Sequence, residues 1–138
     1  MKKVGKYFCA VLTAVFTMLF AAGCGTGLAE GFDEAAVKEA AQKATDHMIA
    51  GEYAECVAMM SQEMQEALTA ESLASAAEGV NAQVGTFQEY KSIAVVGQKD
   101  SNGEDCAVAV VIAEFENGKL TYNVSFNQNM EVIGFWMK

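Results

Sequence analysis

Apolar and polar positions alternate along this chain with two distinct periods. From residue 33 to 84 the period is helical. Val37, Ala41, Ala44 and Met48 form one stripe, with Asp33 placed to cap its start, Glu34 in its first turn and Gly51 placed to close it. Tyr53, Cys56, Val57, Met60, Met64 and Leu68 form a second stripe. Leu73, Ala76, Ala77, Val80 and Val84 form a third, opened by Thr69 and ended by Gly85. Three helices are predicted.

After Gly85 the period becomes that of strands. The pattern predicts strands over 86–98, 106–116, 119–127 and 131–137, with Asp100-Ser101-Asn102-Gly103 as a turn and Asn117-Gly118 as a two-residue hairpin loop. With that loop, Phe115 faces Leu120, Ala113 faces Tyr122, Val111 faces Val124 and Ala109 faces Phe126. All eight share one apolar face. The other face pairs Glu116 with Lys119, Glu114 with Thr121, Ile112 with Asn123 and Val110 with Ser125, so it is half polar. The last strand is expected to add Ile133, Phe135 and Met137 to the core face. The fold class that follows is α+β: three N-terminal helices packed on one face of a four-stranded antiparallel sheet.

The first 23 residues break both periods. Lys2, Lys3 and Lys6 precede 17 uncharged residues from Tyr7 to Gly23, the form of a secretory signal. No basic stop-transfer cluster follows, which argues against a retained span. The run ends in Ala22-Gly23-Cys24, which resembles a bacterial lipobox with Ala21 in place of the usual leucine. That resemblance implies cleavage before Cys24, its acylation with fatty chains such as palmitate, and an extracytoplasmic protein anchored to the bacterial cell membrane. Two or more chains hold a protein stably where one does not. The alternative is a soluble secreted protein cut at an Ala-x-Ala-like site. Residues 24–31 then read as a flexible Gly-rich tether and 32–138 as one domain.

Composition narrows the partners. The chain has 138 residues, 52% of them hydrophobic, with 18 acids, 9 Lys, no Arg and one His. From Cys24 onward 6 Lys stand against 18 acids, a net charge of −12. That charge, with no basic stripe, excludes nucleic acid and disfavours anionic lipid headgroups. The membrane is expected to be reached through the lipid at Cys24.

The order of elements is similar to the cystatin-like cone of the nuclear transport factor 2 superfamily. A narrower resemblance lies in Ala50-Gly51-Glu52-Tyr53, Ala67-Leu68-Thr69-Ala70-Glu71-Ser72-Leu73, Gly85-Thr86-Phe87 and Val132-Ile133-Gly134-Phe135. These segments look like the bacterial lipoprotein family called domain of unknown function 3887, over roughly residues 33–138. That family supplies no established catalytic residues.

Motifs for chemistry are sparse. A calcium-loop register around Asp100 puts Gln98 and Ala109 where acids are required, so the segment reads as a turn. Gly23-Cys24-Gly25-Thr26-Gly27 follows no strand and is explained by the leader. There is no H-x-x-x-H, C-x-x-C or G-x-S-x-G, and neither metal nor cofactor is expected. His47, near the end of the first helix, favours a structural place at the helix C-terminus. The methionines read as core filling. An exported Cys56–Cys106 disulfide is permitted, yet strand parity puts Cys106 on the face away from the helices while Cys56 lies on a stripe toward the sheet. Two separate apolar thiols are the simpler reading.

Val108, Val110 and Ile112, joined by Trp136, fall on the outer sheet face and form a candidate interface. The function these readings support is a lipid-anchored, non-catalytic domain that binds an envelope protein or a small ligand, or pairs as a homodimer. The alternative is a small enzyme working in a cavity between helices and sheet, with His47, Tyr53 or Tyr122 and a nearby acid.

Overall fold

The computed structural model describes residues 27–138. The leader and Cys24 lie outside the described residues. Within them, four helices precede a four-stranded antiparallel sheet: α1 (Glu34–Ala50), α2 (Tyr53–Ala58), α3 (Gln62–Ala67), α4 (Ala70–Val84), β1 (Phe87–Lys99), β2 (Asp105–Phe115), β3 (Gly118–Phe126) and β4 (Val132–Met137). The sheet is a simple meander, β1-β2-β3-β4.

The helix ends follow their local chemistry. The Asp33 carboxylate accepts the Ala36 N–H at 2.8 Å and caps α1. Gly51 takes φ 78°, and the N–H groups of Gly51 and Glu52 donate to the carbonyls of Met48 and His47. This is the paired closure that a left-handed glycine makes available. Thr69 and Ser72 cap each other's backbone N–H groups at the start of α4.

The second stripe is not one helix. Its continuity breaks at Met59–Ser61, where the Ser61 N–H donates to the Val132 carbonyl and the Val132 N–H to the Met59 carbonyl, both at 2.9 Å. That segment adds a short parallel bridge to the start of β4. Main-chain pairing outweighs helical propagation there, and the Ser61 hydroxyl restarts the chain as α3 by accepting the Met64 N–H.

The β2–β3 register differs from expectation by two residues. Phe115 pairs with Gly118, Ala113 with Leu120, Val111 with Tyr122, Ala109 with Val124 and Ala107 with Phe126. The loop is therefore Glu116-Asn117, and neither residue takes a positive φ. Asn-Gly signals a turn with positive φ at both central residues, but here tertiary contacts decide. The Glu116 N–H donates to the Thr86 carbonyl and the Asn117 N–H to the Val84 carbonyl, which docks the hairpin tip on the end of α4. A two-residue shift preserves parity, so every side chain keeps its expected face.

A second correction falls on β4. Phe126 pairs with Val132 and Ser125 with Gly134, so Ile133 is the extra residue of a bulge. Val132 occupies the core position expected of Ile133, with Phe135 and Met137 packed beside it.

The core lies between the helices and one sheet face. It joins Val37, Ala41, Ala44 and Met48 of α1, Cys56 of α2, and Leu73 and Ala77 of α4 to Val95, Ala109, Val111, Tyr122, Val124, Phe126 and Val132. Burial of each large member contributes about 1.5–3 kcal/mol. Alanines at 107, 109 and 113 keep β2 low where α1 crosses the sheet. Residues 27–32, part of them in the expected tether, adjoin this core. Leu28 and Phe32 pack on the core, and the Gly27–Leu28 backbone lies where a side chain at Gly97 would project. Among the described residues, every member of this core lies within 28–137.

Candidate functional site

Strand pairing builds the outer sheet face row by row. One row runs Val96, Val108, Ser125, Gly134; the next runs Ala94, Val110, Asn123, Trp136; a third joins Ser92, Ile112 and Thr121. Thr121 in turn exchanges backbone hydrogen bonds with Lys138. The structure thus brings Val108, Val110, Ile112 and Trp136 onto one surface. Their exposure differs: Val108 is 9% exposed, Val110 and Ile112 are half-buried, and Trp136 is 73% exposed.

Val96, 39% exposed, completes this surface. Sequence reading did not single it out, because Val95 and Val96 are adjacent and parity cannot choose between them without the register. At the hairpin end the apolar rows stop at a charged edge, where the Lys91 ammonium bridges Glu114 at 2.5 Å and Glu89 at 2.6 Å. These carboxylates hold the Lys91 ammonium above its ordinary range, and the lysine in turn lowers Glu114.

The candidate cavity residues are arranged otherwise. Tyr122 is 2% exposed within the packed core, where burial and then the nearby Tyr53 push its phenol up to about 12. Tyr53 packs at the margin of that core. His47 Nδ1 instead meets Glu52 Oε1 at 3.2 Å, at the corner between α1 and α2. Tyr53 and Tyr122 are near each other; the His47 imidazole is engaged by Glu52.

A polar contact absent from the sequence reading joins the layers. The Tyr90 hydroxyl donates to Asp46 Oδ1 at 2.5 Å, tying β1 to α1. Burial and the Asp46 carboxylate raise the Tyr90 pKa. No local pattern marks that pair, since its members are 44 positions apart.

Cys56 and Cys106 are free thiols, both buried. Cys56 belongs to the core cluster, where burial pushes its thiol up to about 11. Cys106 pairs across to Gln98 on the opposite face, and burial raises its pKa as well.

A cleft of about 440 Å³ opens at the far end of the sheet, between the β1–β2 and β3–β4 turns. Two of its acids, Asp100 and Asp105, are committed to structure. Asp100 Oδ1 accepts the N–H groups of Asn102 and Glu104 at 2.8 and 2.9 Å, and Asp105 pairs with Lys99 at 2.5 Å. Among the described residues, no three His, Cys, Asp or Glu side chains are grouped to hold a metal, and no helix is long and apolar enough to cross a membrane.

The fold has a solved counterpart. An NMR structure of a protein from Ruminococcus gnavus ATCC 29149 superposes with a TM-score of 0.68 at 24% identity, covering 81% of this chain and 96% of that one. At that identity the likeness shows the fold alone. No curated protein matches the chain. The family model described as "Protein of unknown function (DUF3887)" matches residues 41–135, which takes in most of α1 and nearly all of the sheet. This chain is accordingly a member of the DUF3887 family.

Proposed function

We propose that this protein is a lipid-anchored extracytoplasmic binding domain, without catalytic activity, held on the bacterial cell membrane by acylation of Cys24. It meets its partner, a protein or a small ligand, through the outer sheet face. The single observation that carries the binding reading is that face: Val96, Val110, Ile112 and Trp136 stand together with no acid in their rows, in a chain that has 18. Uncharged aromatic and aliphatic surface inside a charged edge is the composition of an interface centre.

The anchor reading is supported by Ala22-Gly23-Cys24 at the end of a basic-then-apolar leader. Helices followed by an antiparallel meander support the finer assignment to a cystatin-like, nuclear transport factor 2-like cone. A rival reading, an enzyme using His47, Tyr53 or Tyr122 in that cone, has weaker support. Apolar packing occupies the space around Tyr122, and the His47 ring is held by Glu52.

Expression of the whole chain in a bacterial host tests the proposal. Expected are recovery in the membrane fraction and an N-terminal peptide beginning at Cys24 with the added mass of acyl chains, both lost in Cys24→Ala. An intact leader, or a mature start elsewhere without acyl chains, overturns the anchor. A photo-crosslinking residue at position 136 is expected to capture a partner that one at exposed Glu63 does not. Equal capture at both overturns the binding face.

A further inference from the structure

We propose, building on the reading of the outer sheet face as a docking surface, that its occupant is a second copy of this chain, stacked sheet on sheet about a two-fold axis parallel to the strands. The argument begins with the shape of two neighbouring rows. Ala94, Val110, Asn123 and Trp136 rise from small at β1 to large at β4. Val96, Val108, Ser125 and Gly134 fall from large at β1 to nothing at β4. An axis along the strands lays β1 of one copy over β4 of the other and keeps each row over itself. Trp136 then comes over Ala94 and Val96 over Gly134, so each projection meets a depression. Gly134 stays low because a Cβ there would press on the Ser125 side chain at 3.3 Å. The alignment holds within the roughly 30° that twisted sheets adopt when they stack face to face.

Charge selects the same face. The chain carries −9 overall, so two copies repel across most of their surfaces. These two rows hold no charged residue, and the acid next along the outer face of β2, Glu114, shares the Lys91 ammonium with Glu89. Like-charged copies approach here at least cost. Area sets the strength. Four strands about 4.8 Å apart, taken over the six residues of β4, give a footprint of about 380 Å² per copy, or about 760 Å² for the pair. That is below the standard size of stable complexes and describes a weak, reversible dimer. Confinement of both copies to one membrane raises their effective concentration.

Residues 27–138, with their folding first checked by circular dichroism, are the material for the test. Sedimentation velocity over about 1 μM to 1 mM is paired with emission from Trp136, the single tryptophan. Expected are a mass that doubles with concentration and a blue shift of the emission over the same range. Ala94→Glu, at an exposed position, should weaken association at least about 30-fold by placing a carboxylate under the Trp136 ring of an already acidic partner copy, with unchanged circular dichroism. Trp136→Ala should also weaken it. The exchange variant carrying both Ala94→Trp and Trp136→Ala should regain it, since the two-fold axis accepts a projection at either edge. A monomer at every concentration overturns the dimer, as does a dimer indifferent to Ala94→Glu. If the monomer's Trp136 emission shifts on vesicles of neutral phosphatidylcholine, or position 136 crosslinks a different protein, the dimer fails while the docking reading stands. A monomer whose Trp136 stays water-exposed in all these settings overturns both.

Discussion

On the inner face of the sheet Tyr122 is 2% exposed and Val124 and Phe126 are fully buried; on the outer face Trp136, from the neighbouring strand, keeps 73% of its surface in water. Both faces are built from the same strands and both carry valines. What separates them is what lies above. Four helices and the Gly27–Phe32 segment cover the inner side, where Ala107, Ala109 and Ala113 leave room for them. The outer side carries uncharged rows ending at the Lys91–Glu114 pair. The inner face holds the fold together, and the outer face is available for association.

The sharpest way to break this contrast is to truncate one aromatic on each face. Tyr122→Ala should cost about 3–5 kcal/mol, the range for removing a large core aromatic. In urea its midpoint should fall with an unchanged slope. A loss under 1 kcal/mol would mean that the inner face is not the core described here.

Alkaline pH probes the same interior. Burial raises Cys56 from 9.0 to about 11 and Tyr122 from 10.0 to about 12, so the native state holds protons that the unfolded chain releases first. Their stabilising contribution is complete below pH 9, begins to fall as pH rises above that value, and is lost through pH 11–12. For Cys56 alone the loss is about 2–3 kcal/mol. Denaturation curves between pH 8 and 11 should show this decline, with a shallower slope in Cys56→Ala; equal slopes in the two proteins would contradict it.

Next in size is the strap at Gly97. Gly97→Val puts a side chain where the Gly27–Leu28 backbone lies, and should cost about 1–3 kcal/mol through overpacking. It should also speed amide exchange at residues 28–32 more than elsewhere. Uniform exchange would show that the segment is not held at this notch.

The smallest stability effect is expected on the outer face. Trp136→Ala should alter the stability of the monomer by less than about 0.5 kcal/mol. Chemical denaturation at low protein concentration checks this, and a loss of several kcal/mol would show that Trp136 is core.

Much of this architecture was legible because it depends on near neighbours. The Asp33, Thr69 and Gly51 caps, the helical stripes and the parity of β2 and β3 are all set within a few residues. The misreadings share the opposite property. The Asn117-Gly118 turn yielded to hydrogen bonds that the Thr86 and Val84 carbonyls accept from Glu116 and Asn117, thirty or more positions away. The single helix expected over 53–68 yielded to Val132 pairing with Met59 and Ser61. Ile133 was displaced by a bulge at Ser125–Phe126. In the candidate site, parity placed Val108, Val110, Ile112 and Trp136 together, but the register was required to add Val96 and Ala94 and to bury Val108.

Periods of 2 and 3.6 are written locally, so the helical and strand stretches, the caps at Asp33, Thr69 and Gly51 and the parity of β2 and β3 could be read from the chain, as could its surplus of acids. The hairpin register, the break between α2 and α3, the seating of Leu28 and Phe32, and the size order within each row of the outer face came with the folded layers. Those features rest on backbone groups and side chains far apart in the chain, whose hydrogen bonds and packing exist only once the layers have met.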